Sequence, residues 1–259
     1  MSLLEIEDLH LEIGGQEILR GMSLNVEVSE FIALVGESGS GKSMTALAVM
    51  GLLSQKARIT AGSIRFDGRE LLGLDGRALD QVRGSEMAMV FQDALTSLNG
   101  VLTIGDQLTE GMRVHLGMDR RAAEGRALEL LGRVGLPADR AMLRRYPHTL
   151  SGGQRQRVCI AMALACHPRL LIADEPTTAL DVTVQEQIME LLGRLKRENG
   201  MAVLFITHDI ALAAREAHRI AVAWEGRVVE TGAAQDVLNH PQHAYTRRLA
   251  EAAEKLRLQ

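Results

Sequence analysis

No stretch of this 259-residue chain reaches the about 18 consecutive apolar residues of a membrane span. The start, Met1-Ser2-Leu3-Leu4-Glu5-Ile6-Glu7-Asp8, lacks the basic-then-apolar order of a secretory signal, so the chain is expected to stay in the cytoplasm. Cysteine is scarce. Cys159 and Cys166 are the only two, and on one helix their seven-residue spacing spans about 10.5 Å, too far for a disulfide. They read as small buried hydrophobes in a reducing compartment. An excess of one charge is missing as well: the net charge is −4, and the 25 arginines and four lysines are scattered rather than gathered into a stripe. That distribution argues against nucleic acid as the main ligand. There is no internal repeat and no low-complexity linker. With 46% hydrophobic residues, the chain can bury one large core, or a core with one subdomain.

What is present is concentrated in short segments. Gly36-Glu37-Ser38-Gly39-Ser40-Gly41-Lys42-Ser43 fits G-x-x-x-x-G-K-[ST], follows the apolar run Phe31 to Val35, and precedes Met44 to Leu53, whose spacing predicts a helix. In that strand, loop, helix context the glycines let the backbone wrap around phosphate oxygens. Successive N–H groups and the positive helix end then face the negative charge, and Lys42 adds a mobile cation. Ser43 offers a hydroxyl to Mg2+.

Short apolar runs from Leu4 to Val35, punctuated by Gly14-Gly15, predict two or three strands, and Gly62 to Gly68 and Met87 to Phe91 predict two more. From Asp93 to Cys166 helical spacing replaces β-type runs, as in Ala123 to Val134, which predicts a helical subdomain inserted into an α/β core. Strand signals return at Leu170 to Ala173 and Ala202 to Ile206, around the helix-patterned Val184 to Arg197, as a parallel sheet with crossovers requires. Ile220 to Trp224 and Arg227 to Val229 predict a hairpin through Glu225-Gly226. The tail beyond Thr231 reads as helix, proline-containing turn, helix.

Asp174 and Glu175 end an apolar strand, the place where open parallel sheets present ligands. Asp174 suits the shell of Mg2+, and Glu175 suits the orientation of an attacking water. A lone acidic pair at a strand end is commonly no more than solvated; its order and distance relative to the glycine loop argue for chemistry. His208 follows a strand at the same predicted sheet edge, where its imidazole can bond a γ-phosphate. Gln92 lies at the junction of core and helical subdomain, where an amide can reach Mg2+ or water and also feel rotation of the subdomain. Leu150-Ser151-Gly152-Gly153-Gln154 precedes a helix predicted over Arg155 to Ala165, so Ser151 and the glycines form a second phosphate-gripping helix end. One site does not need two such grips. The second is expected to hold the nucleotide of a facing subunit.

These segments resemble the ATP-binding cassette family over essentially the whole chain: Walker A at Gly36 to Ser43, Q-loop at Gln92, signature at Leu150 to Gln154, Walker B at Leu170 to Asp174 followed by Glu175, D-loop at Ala179-Leu180-Asp181, and H-loop at His208. The resemblance implies an α/β P-loop NTPase core of mixed β-sheet, an antiparallel β-subdomain and an inserted α-helical subdomain. It places a nucleotide-binding core with the β-subdomain at 1–92 and 167–230, the helical subdomain at 93–166 and a tail at 231–259. It further implies ATP and Mg2+ as cofactors, with catalysis by Glu175, His208 and Gln92 and Mg2+ near Ser43, Gln92 and Asp174. Nucleotide contacts would come from Gly36 through Met44, Ile13, Ser151, Gly152, Gly153, Gln154 and Asp181. Two cassettes would dimerise head to tail and sandwich ATP between the Walker A of one and the signature of the other.

Finer wording is similar to the ATPase subunits of peptide, nickel and metal-chelate importers: Phe91-Gln92-Asp93-Ala94-Leu95-Thr96-Ser97-Leu98-Asn99, the run Asp174 to Gln185, and His240-Pro241-Gln242-His243-Ala244-Tyr245-Thr246-Arg247. The departures are Ala94, Gly100 and Ala244 where that group has proline, Gln154 where its signature often has methionine, and Ile13 where many cassettes stack an aromatic ring on adenine. Base packing is therefore expected to be aliphatic, with weak discrimination between ATP and GTP. With no cysteines beyond the tail motif, no iron–sulfur cluster is expected, and His240 and His243 read as part of a turn rather than a nickel pair. The expected partners are membrane permease subunits, a second identical or different cassette, and indirectly an extracytoplasmic binding protein, at the cytoplasmic face of the cell membrane. The alternative is a soluble cassette accessory to an enzyme complex, such as one of phosphonate breakdown.

Overall fold

The structure, a computed structural model, describes residues 2–178 and 180–257. Its contacts group Met1–Leu79 with Met201–Gln259 as one unit and Asp80–Gly200 as another. In the first, β1 (Ser2–Ile13) and β2 (Gln16–Glu27) pair antiparallel across Gly14 and Gly15, whose φ of 59° and 83° supply the left-handed turn that short hairpins need. β3 (Phe31–Val35) is buried at every residue and runs into the glycine loop, after which α1 (Lys42–Val49) begins two residues ahead of the predicted helix and stops short of Leu53. β4 (Ala57–Phe66) and β5 (Arg69–Glu70) complete an antiparallel sheet in the order β2-β1-β4-β5. α2 (Gly76–Val82) follows.

In the second unit, β6 (Met87–Val90) is followed by α3 (Ala94–Ser97), α4 (Ile104–His115), α5 (Arg120–Arg133), α6 (Arg140–Leu143) and α7 (Gly152–Ala163). Then come β7 (Leu170–Asp174), parallel to β6, and α8 (Val182–Asn199). Polar caps fix where the helices start: Thr103, Asp119, Asp139, Ser151 and Asp181 each accept a backbone N–H from the first turn of α4, α5, α6, α7 and α8. Gly200, at φ 64°, ends α8 in the left-handed conformation. Cys159 lies on α7, whereas Cys166 falls beyond its end; both thiols are free and buried. The separate placement arises because α7 stops at Ala163, short of Pro168.

The chain returns to the first unit with β8 (Ala202–Thr207), α9 (Ile210–Glu216), β9 (Arg219–Trp224), β10 (Arg227–Ala233), α10 (Ala234–Asn239) and α11 (Ala244–Arg257). β3 is flanked in parallel by β8 and β9, and β10 turns back antiparallel on β9. β3 and β8 are buried throughout, as strands covered on both faces must be. Arg219 ties β9 to the β2–β3 segment. Its guanidinium donates to both carboxylate oxygens of Glu30, at 2.8 and 3.1 Å, and to Asn25 Oδ1 at 3.0 Å.

Candidate functional site

The glycine loop is built into the packing of the first unit. Lys42 is 4% exposed, and its Nζ donates to the carbonyls of Gly36 (2.7 Å) and Glu37 (2.9 Å), so the ammonium lies over the loop it follows. Gly36 N–H donates to Thr207 O at the end of β8, and Gly226 N–H, from the β9–β10 turn, donates to Ser40 O at 3.2 Å. Crowding makes two of the glycines necessary: a Cβ at Gly36 would stand 2.2 Å from Ala223 O, and one at Gly41 would stand 2.5 Å from Leu19 Cδ2. Gly39 differs. Its φ is 83° and a Cβ there would meet nothing within 4 Å, so backbone conformation alone selects glycine and leaves open space beside the loop. Ser40 Oγ is buried without a hydrogen-bond partner. An orphaned hydroxyl, an open glycine cradle and a buried lysine are the donor set that a polyphosphate fits. Ser43 and Met44 are half-buried in the first turn of α1. His208 directly follows Thr207, at the strand end that bonds the start of the loop, and is exposed. Ile13 ends β1 in the other sheet, paired with Gln16 and Ala57.

In the second unit, the run after β7 is a turn under backbone strain. Asp174 is 6% exposed at the strand end. Glu175 adopts φ 44°, a left-handed conformation that glutamate rarely holds, directly before Pro176. Two donors fix its carboxylate through one oxygen: Gln92 Nε2 at 3.1 Å and Thr178 Oγ1 at 2.9 Å reach Glu175 Oε2. Gln92, expected from the sequence to reach Mg2+ or water, here bonds the Glu175 carboxylate directly, a pairing the sequence reading did not name. Thr178 is a participant to which the sequence reading gave no role; the signal was its place three residues beyond Glu175, where a turn brings a side chain back.

The signature departs from expectation in one respect. Gly152, Gly153 and Gln154 form the first turn of α7 instead of preceding it, because Ser151 and Gln154 make a reciprocal capping box that starts the helix at once. Gly153 has a packing reason: its Cβ would lie 2.9 Å from Val184 Cγ1 on α8. Asp181 caps α8 by accepting Val184 N–H at 2.9 Å, and Ala179 of the same motif lies outside the described residues. A cleft of about 270 Å3 is lined by Gln92, Ala94, Gly152, Arg155, Gln156 and Thr178, which brings the Glu175 clamp and the signature helix to one opening.

Comparison with known proteins then decides the family: residues 19–178 match the sequence model of the ABC transporter family. The chain belongs to that family. It is 47% identical over 253 residues to the dipeptide transport ATP-binding protein DppD of Haemophilus influenzae, covering 96% of this chain and 77% of that protein. To DppD of Escherichia coli it is 46% identical over 256 residues, covering 97% and 78%. A dimeric post-hydrolysis structure of the ATP-binding cassette MJ0796, bound to ADP and Pi, superposes with a TM-score of 0.79 at 32% identity, covering 89% of this chain and 98% of that one. The fold is therefore that of an ABC ATPase cassette. Among the described residues no helix is long and apolar enough to cross a membrane, and no group of three or more His, Cys, Asp or Glu could hold a metal ion.

Proposed function

We propose that this chain is the ATP-binding, ATP-hydrolysing subunit of an importer for dipeptides or other short peptides, acting on separate membrane permease subunits. One observation carries the reading: identity of 46–47% across nearly the whole chain to two dipeptide transport ATP-binding proteins. Those relatives favour peptides over the nickel and metal-chelate cargoes that the resemblance also admits.

In this reading the N–H groups of Gly36 to Ser43 and the start of α1 bind the triphosphate, with Lys42 leaving the loop carbonyls to meet the terminal phosphates. Ile13 packs against the base. Ser43, Asp174 and Gln92 would hold Mg2+, an ion that keeps several waters and needs no cage of protein ligands, and which would supply positive charge against the phosphates. Glu175 accepts a proton from the attacking water, and His208 orients that water and the γ-phosphate. Gln92 and Thr178 set the Glu175 carboxylate. Ser151 to Gln154 close on the nucleotide of a second copy or a related cassette, with Asp181 at the same interface. Residues 1–92 and 167–230 serve as nucleotide-binding core, 93–166 as the helical subdomain that contacts the permease, and 231–259 as the tail. The subunit sits peripherally on the cytoplasmic face of the membrane, and an extracytoplasmic binding protein delivers the cargo.

The test is affinity isolation of the full chain from detergent-solubilised cells of its source, paired with uptake of a labelled dipeptide in a strain lacking it. Integral membrane partners and lost uptake are expected. Recovery in a soluble catalytic complex, with uptake intact, would replace this reading with that of an accessory ATPase.

A further inference from the structure

The tail reaches the phosphate loop through a side chain. Tyr245, on the first turn of α11, is 2% exposed, and its hydroxyl oxygen accepts the backbone N–H of Glu37 at 2.8 Å. The approach is built by several parts. Glu230 on β10 accepts the N–H groups of Gln242 (2.8 Å) and His243 (2.9 Å), which fixes where α11 begins. His243 Nδ1 accepts the Tyr245 N–H at 3.2 Å. The tyrosine ring stacks on Trp224 with centroids 5.7 Å apart and planes 24° apart, and Arg248 lies 5.5 Å from its centroid. Trp224 ends β9, two residues before Gly226, whose N–H holds Ser40 O. The tail and the hairpin turn therefore grip the loop at Glu37 and at Ser40. Packing alone would be satisfied by phenylalanine; the hydroxyl is explained by the loop N–H it receives.

We propose that Tyr245 is a positioning residue of the phosphate loop: its hydroxyl, set by the Trp224 stack, holds Glu37 and so orients the loop N–H groups before a nucleoside triphosphate arrives. The inference rests on the reading of Gly36 to Ser43 as the ATP site. Burial raises the phenol's pKa, so the group stays neutral and its lone pairs remain available to the N–H at physiological pH. Because Glu37 is exposed, water can replace the lost acceptor. The effect of removing the hydroxyl is then loss of pre-organisation rather than collapse of the loop.

The test is Tyr245→Phe in the full chain, which keeps the ring. Calorimetry with an ATP analogue resistant to hydrolysis should show Kd raised about five-fold at an unchanged thermal midpoint. KM for ATP should rise in parallel, with kcat changed less. Trp224 is the only tryptophan, and the change in its emission on nucleotide binding should shrink in the variant. Unaltered Kd and KM in a folded variant would overturn the proposal, whereas failure of the wild type to bind the analogue would overturn the reading of the ATP site instead. Hydrogen exchange on the wild type gives a readout independent of the variant's folding: slow exchange of the Glu37 amide without nucleotide is expected, and exchange at the rate of an open loop would overturn the contact.

Discussion

The phosphate loop and the Glu175 turn are held by different means. Around the loop, Lys42 is 4% exposed, a Cβ at Gly36 would collide with Ala223 O at 2.2 Å, and backbone bonds from Gly36 and Gly226 fasten both ends. Glu175 carries a φ of 44°, and its carboxylate rests on two side chains, Gln92 and Thr178. A left-handed glutamate costs of the order of 1–2 kcal/mol, which two hydrogen bonds to a charged oxygen offset. The phosphate loop is thus fixed by packing against the core, whereas the Glu175 carboxylate is held by side-chain hydrogen bonds from Gln92 and Thr178. The largest expected effect breaks the comparison on its chemical side. Glu175→Gln keeps the turn's shape and removes the proton acceptor, so single-turnover hydrolysis should fall at least about 100-fold while filter binding of ATP is preserved. Near-normal hydrolysis in that variant would remove Glu175 from its assigned role.

On the other side, Gly36→Ala places a methyl group against backbone that cannot yield and should destabilise the chain by about 2–3 kcal/mol in a denaturant titration. Gly39→Ala meets open space and carries only the left-handed penalty, about 1 kcal/mol. Equal losses in the two variants would mean that the loop is not set by packing at Gly36. The next effect sharpens the contrast. Gln92→Ala removes one of the two side-chain donors on Glu175 Oε2, and kcat should drop about ten-fold with KM for ATP moved little. A KM effect as large as the kcat effect would place Gln92 in binding rather than in setting the carboxylate.

The strands on either side of Gly14-Gly15, the strand that enters the glycine loop, the one over Ala202 to Ile206 and the closing hairpin were legible from apolar runs and glycine punctuation, whereas the pairing of β3 with β8 and β9 was not. Periodicity carries that information locally. Helix starts were less legible because caps are set by single side chains: the capping box of Ser151 and Gln154 draws the glycines of the signature into α7, against the low helix propensity of glycine. The contact division at residues 79/80 and 200/201 was not legible either, since which helices share a core depends on packing that no local pattern states. At the site, motif spacing located Lys42, Asp174, Glu175 and His208, but the bond from Gln92 to Glu175 Oε2 and the reach of Tyr245 to Glu37 join residues 83 and 208 positions apart. Such pairings exist only in the folded chain.

The smallest effect concerns a group that the chemistry does not use. Cys159, on the signature helix, is 8% exposed, and burial is the main reason its thiol is pushed up to about 12, with the charge of Asp93 adding to the shift. In the unfolded chain the thiol ionises near its ordinary value of 9.0. Because the folded value is raised, the neutral thiol's contribution is fully present below about pH 9 and is lost as pH climbs toward about 12, where the unfolded state alone sheds the proton. Between pH 8 and 9.5 the loss attributable to this one group should be about 0.8 kcal/mol. Urea midpoints for the wild type and Cys159→Ala should therefore converge across that interval, the variant being free of this proton linkage. A parallel pair of profiles would show that the thiol is solvated as the helix breathes.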